Sequence, residues 1–115
     1  MEKNNISLER TFSLNEIQDY LCLMAQQRGF DKETAQDTLL VMLEECGELA
    51  KALRKHIGLK VDHKRLESYG QLSHEMADVL ICLIILANKC NIDLYEALEQ
   101  KEAINKQRSW QTDKP

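Results

Sequence analysis

The chain has 115 residues, enough for one domain with a modest hydrophobic core that would gain from further burial against partner subunits. Its 15 Lys and Arg residues against 19 Asp and Glu give a net charge of −4, which argues against a general binder of nucleic-acid polymers, since these usually present a basic face. Four glycines and a single proline at the last position leave long stretches of helix-forming residues, so we expect an all-α fold.

The cysteines and the apolar runs bear on where the protein works. Cys22, Cys46, Cys82 and Cys90 form no C-x-x-C pair and fall among apolar positions, so we expect reduced thiols that pack as small hydrophobes. The N-terminus is polar and lacks the apolar segment of a secretory signal. The longest apolar run, residues 79–87, is far shorter than the ~20 residues of a membrane-spanning helix. These features predict a cytoplasmic protein with no membrane partner.

The first predicted helix follows residues 1–12, a polar stretch that we expect to be flexible. The sequence S-L-N-E from Ser13 to Glu16 is a capping box, and apolar residues follow it at helical spacing. Gly29 is typical of the residue that ends a helix.

The second predicted helix starts with Asp31 as its N-cap and Glu33 in its first turn. It continues through an acidic cluster to about residue 57 and ends at Gly58. Basic residues in its last two turns suit the negative end of the helix dipole. Residues 58–69 are polar and weakly patterned, which predicts a connector with at most a short helical turn.

The third predicted helix covers about residues 70–90, and the fourth covers about residues 94–108, after a break at Asn91 or Asp93. We expect residues 111–115 to form a frayed tail. The run 79–87 is apolar on every helical face, and such a helix must be buried all round. We expect a neighbouring subunit to cover it; the alternative is a central helix wrapped by the rest of its own chain.

Two short acidic clusters lie within this apolar helical sequence. Spacings of three and four residues place carboxylates on one helix face, where they are costly unless a cation binds them. An oxygen-only ligand set on two facing helices suits Mg²⁺ or Mn²⁺ better than zinc. The residues are Glu44, Glu45 and Glu48 in the second helix, and Glu75 and Asp78 in the third.

Each cluster alone is also typical of a solvated charged face, and Lys51 can pair with Glu48 one turn earlier. Gly47 costs its helix about 1 kcal/mol, which indicates that something packs or binds closely beside it. A di-iron site would need a histidine three residues after an acidic ligand, and no acid of the clusters has one.

The pattern E-E-x-x-E over residues 44–48, followed by E-x-x-D over residues 75–78, resembles the MazG family of all-α nucleoside triphosphate pyrophosphohydrolases. The resemblance runs from about residue 12 to residue 110. It implies a four-helix bundle-type domain over residues 13–110 that assembles as a homodimer or homotetramer. It also implies Mg²⁺- or Mn²⁺-dependent conversion of (d)NTP to (d)NMP and pyrophosphate, as house-cleaning of nucleotide pools.

The resemblance assigns roles to the acidic residues one by one. Glu45, Glu48, Glu75 and Asp78 match the family's metal ligands. Glu44 matches the first acid of the motif, and its role is open between orienting the water, binding a second metal and holding Lys101. Either Glu44 or Glu48 would orient or deprotonate the attacking water.

The fourth helix carries the implied substrate-binding residues. Lys101, Asn105 and Arg108 match the pattern K-x-x-x-N-x-x-R, and Lys101 would also stabilise the leaving pyrophosphate. The alternative for Lys101 and Arg108 is a surface cation. Where relatives clamp the base with tryptophans near the first helix, this sequence has Phe30, for which base stacking and packing are both open. Its only tryptophan is Trp110.

Two further functions stay open at this point. A phosphoribosyl-ATP or dUTP pyrophosphohydrolase would use similar acidic helices on another substrate. A non-catalytic helical interaction module would use the apolar third helix as its partner surface.

Overall fold

The computed structural model describes residues 6–58, 64 and 68–109, and it contains only helices and turns over these ranges. The all-α prediction is therefore confirmed for the described part of the chain. The predictions for residues 1–5, for Trp110 and the tail, and for most of the connector lie outside the described residues. The helices are α1 (Leu14–Gln27), α2 (Ala35–His56), α3 (Leu72–Lys89) and α4 (Leu94–Lys106), with a 3₁₀ turn at Phe30–Lys32.

Side-chain caps decide where the first two long helices begin. The Ser13 hydroxyl accepts a hydrogen bond from the Glu16 amide at 3.1 Å, as predicted. The predicted Asp31 cap is wrong: α2 starts after Thr34, whose hydroxyl accepts from the Asp37 amide at 3.1 Å. Because Thr34 and Asp37 complete a reciprocal capping box, that start is favoured over the one at Asp31.

Residues in the left-handed region end the first three helices. Gly29, Gly58 and Asn91 follow α1, α2 and α3 with φ values of 82°, 76° and 55°. Glycine adopts this conformation without steric cost, and asparagine tolerates it better than most residues. Asp93 then caps α4, because its carboxylate accepts a hydrogen bond from the Glu96 amide at 3.0 Å.

Helices α2 and α3 form the central pair and run antiparallel. The ammonium group of Lys89, at the end of α3, donates to the backbone just before α2, while Glu45 further along α2 lies beside Asp78 near the start of α3. Helix α1 packs against α3, and α4 packs against α1.

A buried amide joins α1 to the α3–α4 connection. Gln18 is 6% exposed, and its amide nitrogen donates to the Ile92 carbonyl at 2.9 Å and to the Asn88 side chain at 3.1 Å. Its amide oxygen accepts from the Leu94 amide at 2.9 Å, at the start of α4. Asn15 adds a hydrogen bond to Asp93 at 2.8 Å. These bonds fix the start of α4 against α1.

The apolar core is small and leaves one side of the central pair open. In α3, Ile84 is 1% exposed, whereas Leu80 is 53% exposed and Leu83 is 42% exposed. The alternative in which the rest of the chain wraps α3 is therefore wrong for the described residues. The buried apolar residues of the described ranges are Leu21, Met24, Ala25, Ala52, Ile84 and Ala87.

All four cysteines are free, in line with the prediction of reduced thiols. Their predicted packing holds only for Cys82, which is half-buried, because Cys22, Cys46 and Cys90 are exposed. None of the helices in the described ranges is both long and apolar enough to cross a membrane.

Candidate metal and nucleotide site

Three acidic side chains converge between α2 and α3. One carboxylate oxygen each from Glu45, Glu75 and Asp78 lies within 4.8 Å of the other two. The spacing of three residues puts Glu75 and Asp78 on one face of α3, and the antiparallel packing brings Glu45 of α2 opposite them. Glu45 and Glu75 are half-buried and Asp78 is exposed, so the group opens towards solvent.

The electrostatics of this group favour a bound cation. The pKa of Glu45 is raised, first by burial and then by the negative charges of Asp78 and Glu75. The pKa of the Cys82 thiol, one turn beyond Asp78, is also raised by burial and by Glu45 and Asp78. A protonated thiol is a poor metal ligand, and three carboxylates are the donor set of a hard ion. The residues present therefore fit Mg²⁺ or Mn²⁺.

A glycine makes room for one of these carboxylates. A Cβ atom built at Gly70 would overlap Oε1 of Glu75 and lie 3.0 Å from its carboxyl carbon. Because this space is free, the Glu75 carboxylate folds back past the start of α3. The sequence pattern predicts a helix start near residue 70 but carries no signal for this contact.

The other two acids of α2 stand apart from the three converging oxygens. The Glu48 carboxylate lies 3.7 Å from the Lys51 ammonium group, the pair foreseen from the sequence. The same ammonium group lies 5.1 Å from the centre of the Tyr69 ring. Glu44 is exposed, and both Glu44 and Glu48 contribute to the raised pKa of Glu45.

Of the sequence-derived substrate residues, Lys101 and Asn105 lie on α4, whereas Arg108 follows the end of this helix. Lys101 and Arg108 are exposed and Asn105 is half-buried. None of the three is among the residues that line the pocket beside the converging carboxylates. Within the described chain, α4 packs on α1, so these residues and the acidic group are not brought together.

A pocket of about 280 Å³ begins at the acidic group and continues along the groove between α2 and α3. Its walls combine successive turns of both helices with the segment that joins α1 to α2. Phe30 lines this pocket and is 43% exposed, so it does not belong to the buried core. The lining residues are Arg28, Phe30, Glu33, Thr38, Val41, Glu45, Asp78, Ile81, Cys82 and Ile85.

The segment between α1 and α2 is held on α3 by Lys89. Its ammonium group donates to the Phe30 carbonyl at 2.9 Å and to the Glu33 carbonyl at 2.6 Å. Lysine in the last turn of a helix is common, so no sequence signal singled out this contact. It ties the far end of the pocket to the helix that carries Glu75 and Asp78.

A model of the MazG nucleotide pyrophosphohydrolase domain matches residues 33–111, more than half of the chain. The chain belongs to the MazG family. The matched part of this MazG domain contains α2, α3 and α4 and begins after Arg28 and Phe30, so two of the pocket residues lie outside it.

A curated relative supports the same family. The protein named dATP/dGTP diphosphohydrolase of Cyanophage S-2L is 38% identical to this chain over 73 residues. The alignment covers 64% of the present chain and 55% of the phage protein. The chain thus spans about half the length of the curated relative that it matches.

Proposed function

We propose that this MazG domain hydrolyses nucleoside triphosphates to nucleoside monophosphates and pyrophosphate, with Mg²⁺ or Mn²⁺ held by Glu45, Glu75 and Asp78. The observation that carries the proposal is the convergence of three carboxylate oxygens within 4.8 Å beside a pocket of about 280 Å³. Exposed acidic groups are common in proteins, but this group adjoins a pocket, and the chain that carries it belongs to a family of nucleotide pyrophosphohydrolases.

Two further acids of α2, Glu44 and Glu48, would also take part in metal binding and catalysis. When bound, the cation supplies positive charge against the phosphate oxygens. Glu48 lies one turn after Glu45 and is the proposed fourth ligand, reached when its carboxylate leaves Lys51. Glu44 or Glu48 would orient or deprotonate the attacking water. Glu44 is exposed, so a water molecule can reach it.

Basic and amide groups on α4 and just after its end would bind the substrate. Lys101, Asn105 and Arg108 are proposed to contact the phosphates and the nucleotide, with Lys101 stabilising the leaving pyrophosphate. Because they do not line the pocket of their own chain, they would act at a site formed when copies of the chain associate.

A homodimer or homotetramer is proposed from the apolar side that the chain leaves open. On α3, Met76, Leu80 and Leu83 follow one another at helical spacing, and all three are more than 40% exposed. On α2, Gly47 lies on a stripe with exposed Leu43, and a Cβ atom built at Gly47 meets nothing within 4 Å. A second copy covering these stripes would bury the apolar faces and approach α2 closely at the glycine.

The substrate is proposed by analogy with the phage relative. Its name describes hydrolysis of dATP and dGTP, so purine deoxynucleoside triphosphates are the first candidates here. A phosphoribosyl-ATP or dUTP pyrophosphohydrolase and a non-catalytic interaction module are the competing functions. House-cleaning of nucleotide pools in the cytoplasm remains the proposed role.

The deciding experiment measures pyrophosphate release from a panel of nucleoside triphosphates, with Mg²⁺, with Mn²⁺ and with a chelator. We expect metal-dependent release that Glu45→Gln and Glu48→Gln reduce at least about 100-fold, since each change removes a proposed ligand or base. Glu9→Gln, an exposed acid before α1, is the control and should keep full activity. Metal-independent release, or undiminished activity of Glu45→Gln, would overturn the assignment.

A further inference from the structure

The pocket has two chemically different ends. Glu45 and Asp78 mark the acidic end, while Thr38 and the segment before α2 mark the other. Thr38 and Glu45 are seven residues apart on one helix, and a rise of 1.5 Å per residue separates them by about 10 Å. A nucleotide whose phosphates lie at the carboxylates therefore extends its base towards Thr38 and that segment.

The size and walls of the pocket suit a nucleoside without its phosphates. Its volume of about 280 Å³ is near the lower limit, about 300 Å³, of typical small-molecule sites. Val41, Ile81 and Ile85 supply apolar surface along the groove. The Thr38 hydroxyl donates to the Thr34 carbonyl at 3.1 Å and is thereby engaged within α2.

The polar groups that remain at the far end carry opposite charges. Arg28 and Glu33 line the pocket, and neither side chain forms a hydrogen bond or ion pair with another residue in the described ranges. The pKa of the Cys82 thiol is raised first by burial and by Glu45 and Asp78, and the charge of Glu33 adds to this. The exposed ring of Phe30 lies between them in the chain.

The segment that carries Arg28 and Glu33 is held in a fixed position relative to the proposed metal ligands. Lys89 bonds the carbonyls of Phe30 and Glu33 to the last turn of α3, and α3 also carries Asp78. Gly29, at φ 82°, allows the chain to turn sharply between Arg28 and Phe30. A fixed backbone reduces the ordering cost of binding a ligand with these side chains.

We propose that Arg28 and Glu33 read the edge of the base and select guanine, an inference that rests on the proposed function. The Glu33 carboxylate accepts from the N1–H and N2–H groups of guanine, and the Arg28 guanidinium donates to its O6 and N7 atoms. Both are bidentate contacts of charged groups, the strong and geometrically specific kind. Phe30 stacks on the ring.

Other purines satisfy these groups less well. Adenine has a hydrogen-bond acceptor at N1, and the Glu33 carboxylate is also an acceptor, so the two repel each other. Adenine also has no oxygen at position 6 to accept a hydrogen bond from Arg28. Hypoxanthine keeps N1–H, O6 and N7 but lacks the N2 amine, so only one donor remains for Glu33. A site that leaves a polar group unpaired with the wrong ligand discriminates strongly against it.

The test compares kcat/KM for dGTP, dITP and dATP in the full chain and in two variants. We expect kcat/KM for dGTP to exceed the values for dITP and dATP by about tenfold or more. Glu33→Gln should remove the advantage of dGTP over dITP, because it acts on the N2 amine. Arg28→Gln should lower kcat/KM for dGTP and for dITP by the same factor, since both bases carry O6 and N7. Asp31→Asn, a neighbouring exposed acid that does not line the pocket, should change no ratio.

Equal kcat/KM for dGTP and dITP, or an unchanged ratio in Glu33→Gln, would overturn the proposal. Calorimetric binding of dGMP and dIMP in Mg²⁺ separates this failure from a failure of the proposed function. If no triphosphate is hydrolysed, the proposed function fails, and tighter binding of dGMP than of dIMP, lost in Glu33→Gln, still supports the base selection. Equal binding of the two monophosphates contradicts it.

Discussion

Gly70 leaves the space that the carboxylate of Glu75 occupies, because a Cβ atom at residue 70 would overlap Oε1 of that side chain. The obstructing group is the end of a flexible side chain, so it can move without disturbing the backbone. We therefore expect Gly70→Ala to displace a proposed metal ligand while changing the free energy of unfolding by less than about 1 kcal/mol.

The measurement for Gly70→Ala is the Mg²⁺ concentration that half-saturates pyrophosphate release, which should rise about tenfold or more. A double-mutant cycle with Glu75→Gln supplies the control. If Gly70 acts through Glu75, the double variant resembles Glu75→Gln alone. Additive losses in the double variant would contradict this coupling.

Removing one charge from the acidic group should have opposite effects with and without metal. Burial and neighbouring carboxylates raise the pKa of Glu45, so its charged form is held at a cost in the metal-free protein. Glu45→Gln should raise the melting temperature without metal and abolish the increase that Mg²⁺ causes in the parent chain. Thermal unfolding with and without Mg²⁺ measures both. An unchanged Mg²⁺ effect in Glu45→Gln would count against this metal site.

The buried amide of Gln18 should contribute strongly to stability. It bonds the Asn88 side chain in α3, the Ile92 carbonyl in the α3–α4 connection and the Leu94 amide at the start of α4. Gln18→Leu leaves these groups without their partner. We expect a loss of about 2 kcal/mol or more in the free energy of unfolding, measured in urea. Gln27→Leu, an exposed change at the end of α1, is the control and should stay within about 0.5 kcal/mol.

Two helix caps should make the fold sensitive to acid. The pKa of Asp37 is lowered by hydrogen bonds from Thr34, and the pKa of Asp93 is lowered by the Glu96 amide and then by Asn15. A lowered pKa stabilises the fold above the ordinary value of 3.8, and this contribution is lost as pH falls through the folded value.

Melting temperatures below pH ~4 should therefore fall less steeply for Asp93→Asn than for the parent chain. Asp31→Asn, a change at an exposed acid outside both caps, is the comparison. Identical slopes for Asp93→Asn and the parent chain would show that the cap makes no acid-sensitive contribution.

The open side of α3 should determine the oligomeric state. Leu80→Glu places a charge in the middle of the exposed apolar stripe, so we expect dissociation to monomers that keep their helical circular dichroism spectrum. Light scattering after size-exclusion chromatography measures the mass. Leu8→Glu alters an equally exposed leucine before α1 and should leave the oligomer intact. A monomeric parent chain would refute the proposed assembly.

Local sequence determined most of the secondary structure. The capping box at Ser13 and the helix-ending residues Gly29 and Gly58 act over a few residues, so their patterns could be read directly. For the break before α4 the sequence left Asn91 and Asp93 open, and the structure has Asp93 as the cap. The start of α2 was misplaced because Asp31 and Thr34 are both plausible caps. Only Thr34 has an acid three residues later that completes the box.

The acidic pattern also came from the sequence, since helical spacing alone places Glu75 and Asp78 on one face. Tertiary packing decided which acids meet, because it brings Glu45 of α2 to the pair on α3. It also decided that Gly70 makes room for Glu75 and that Lys89 holds the far end of the pocket. These contacts join residues far apart in the chain or depend on side-chain volume, and no periodicity in the sequence reports either.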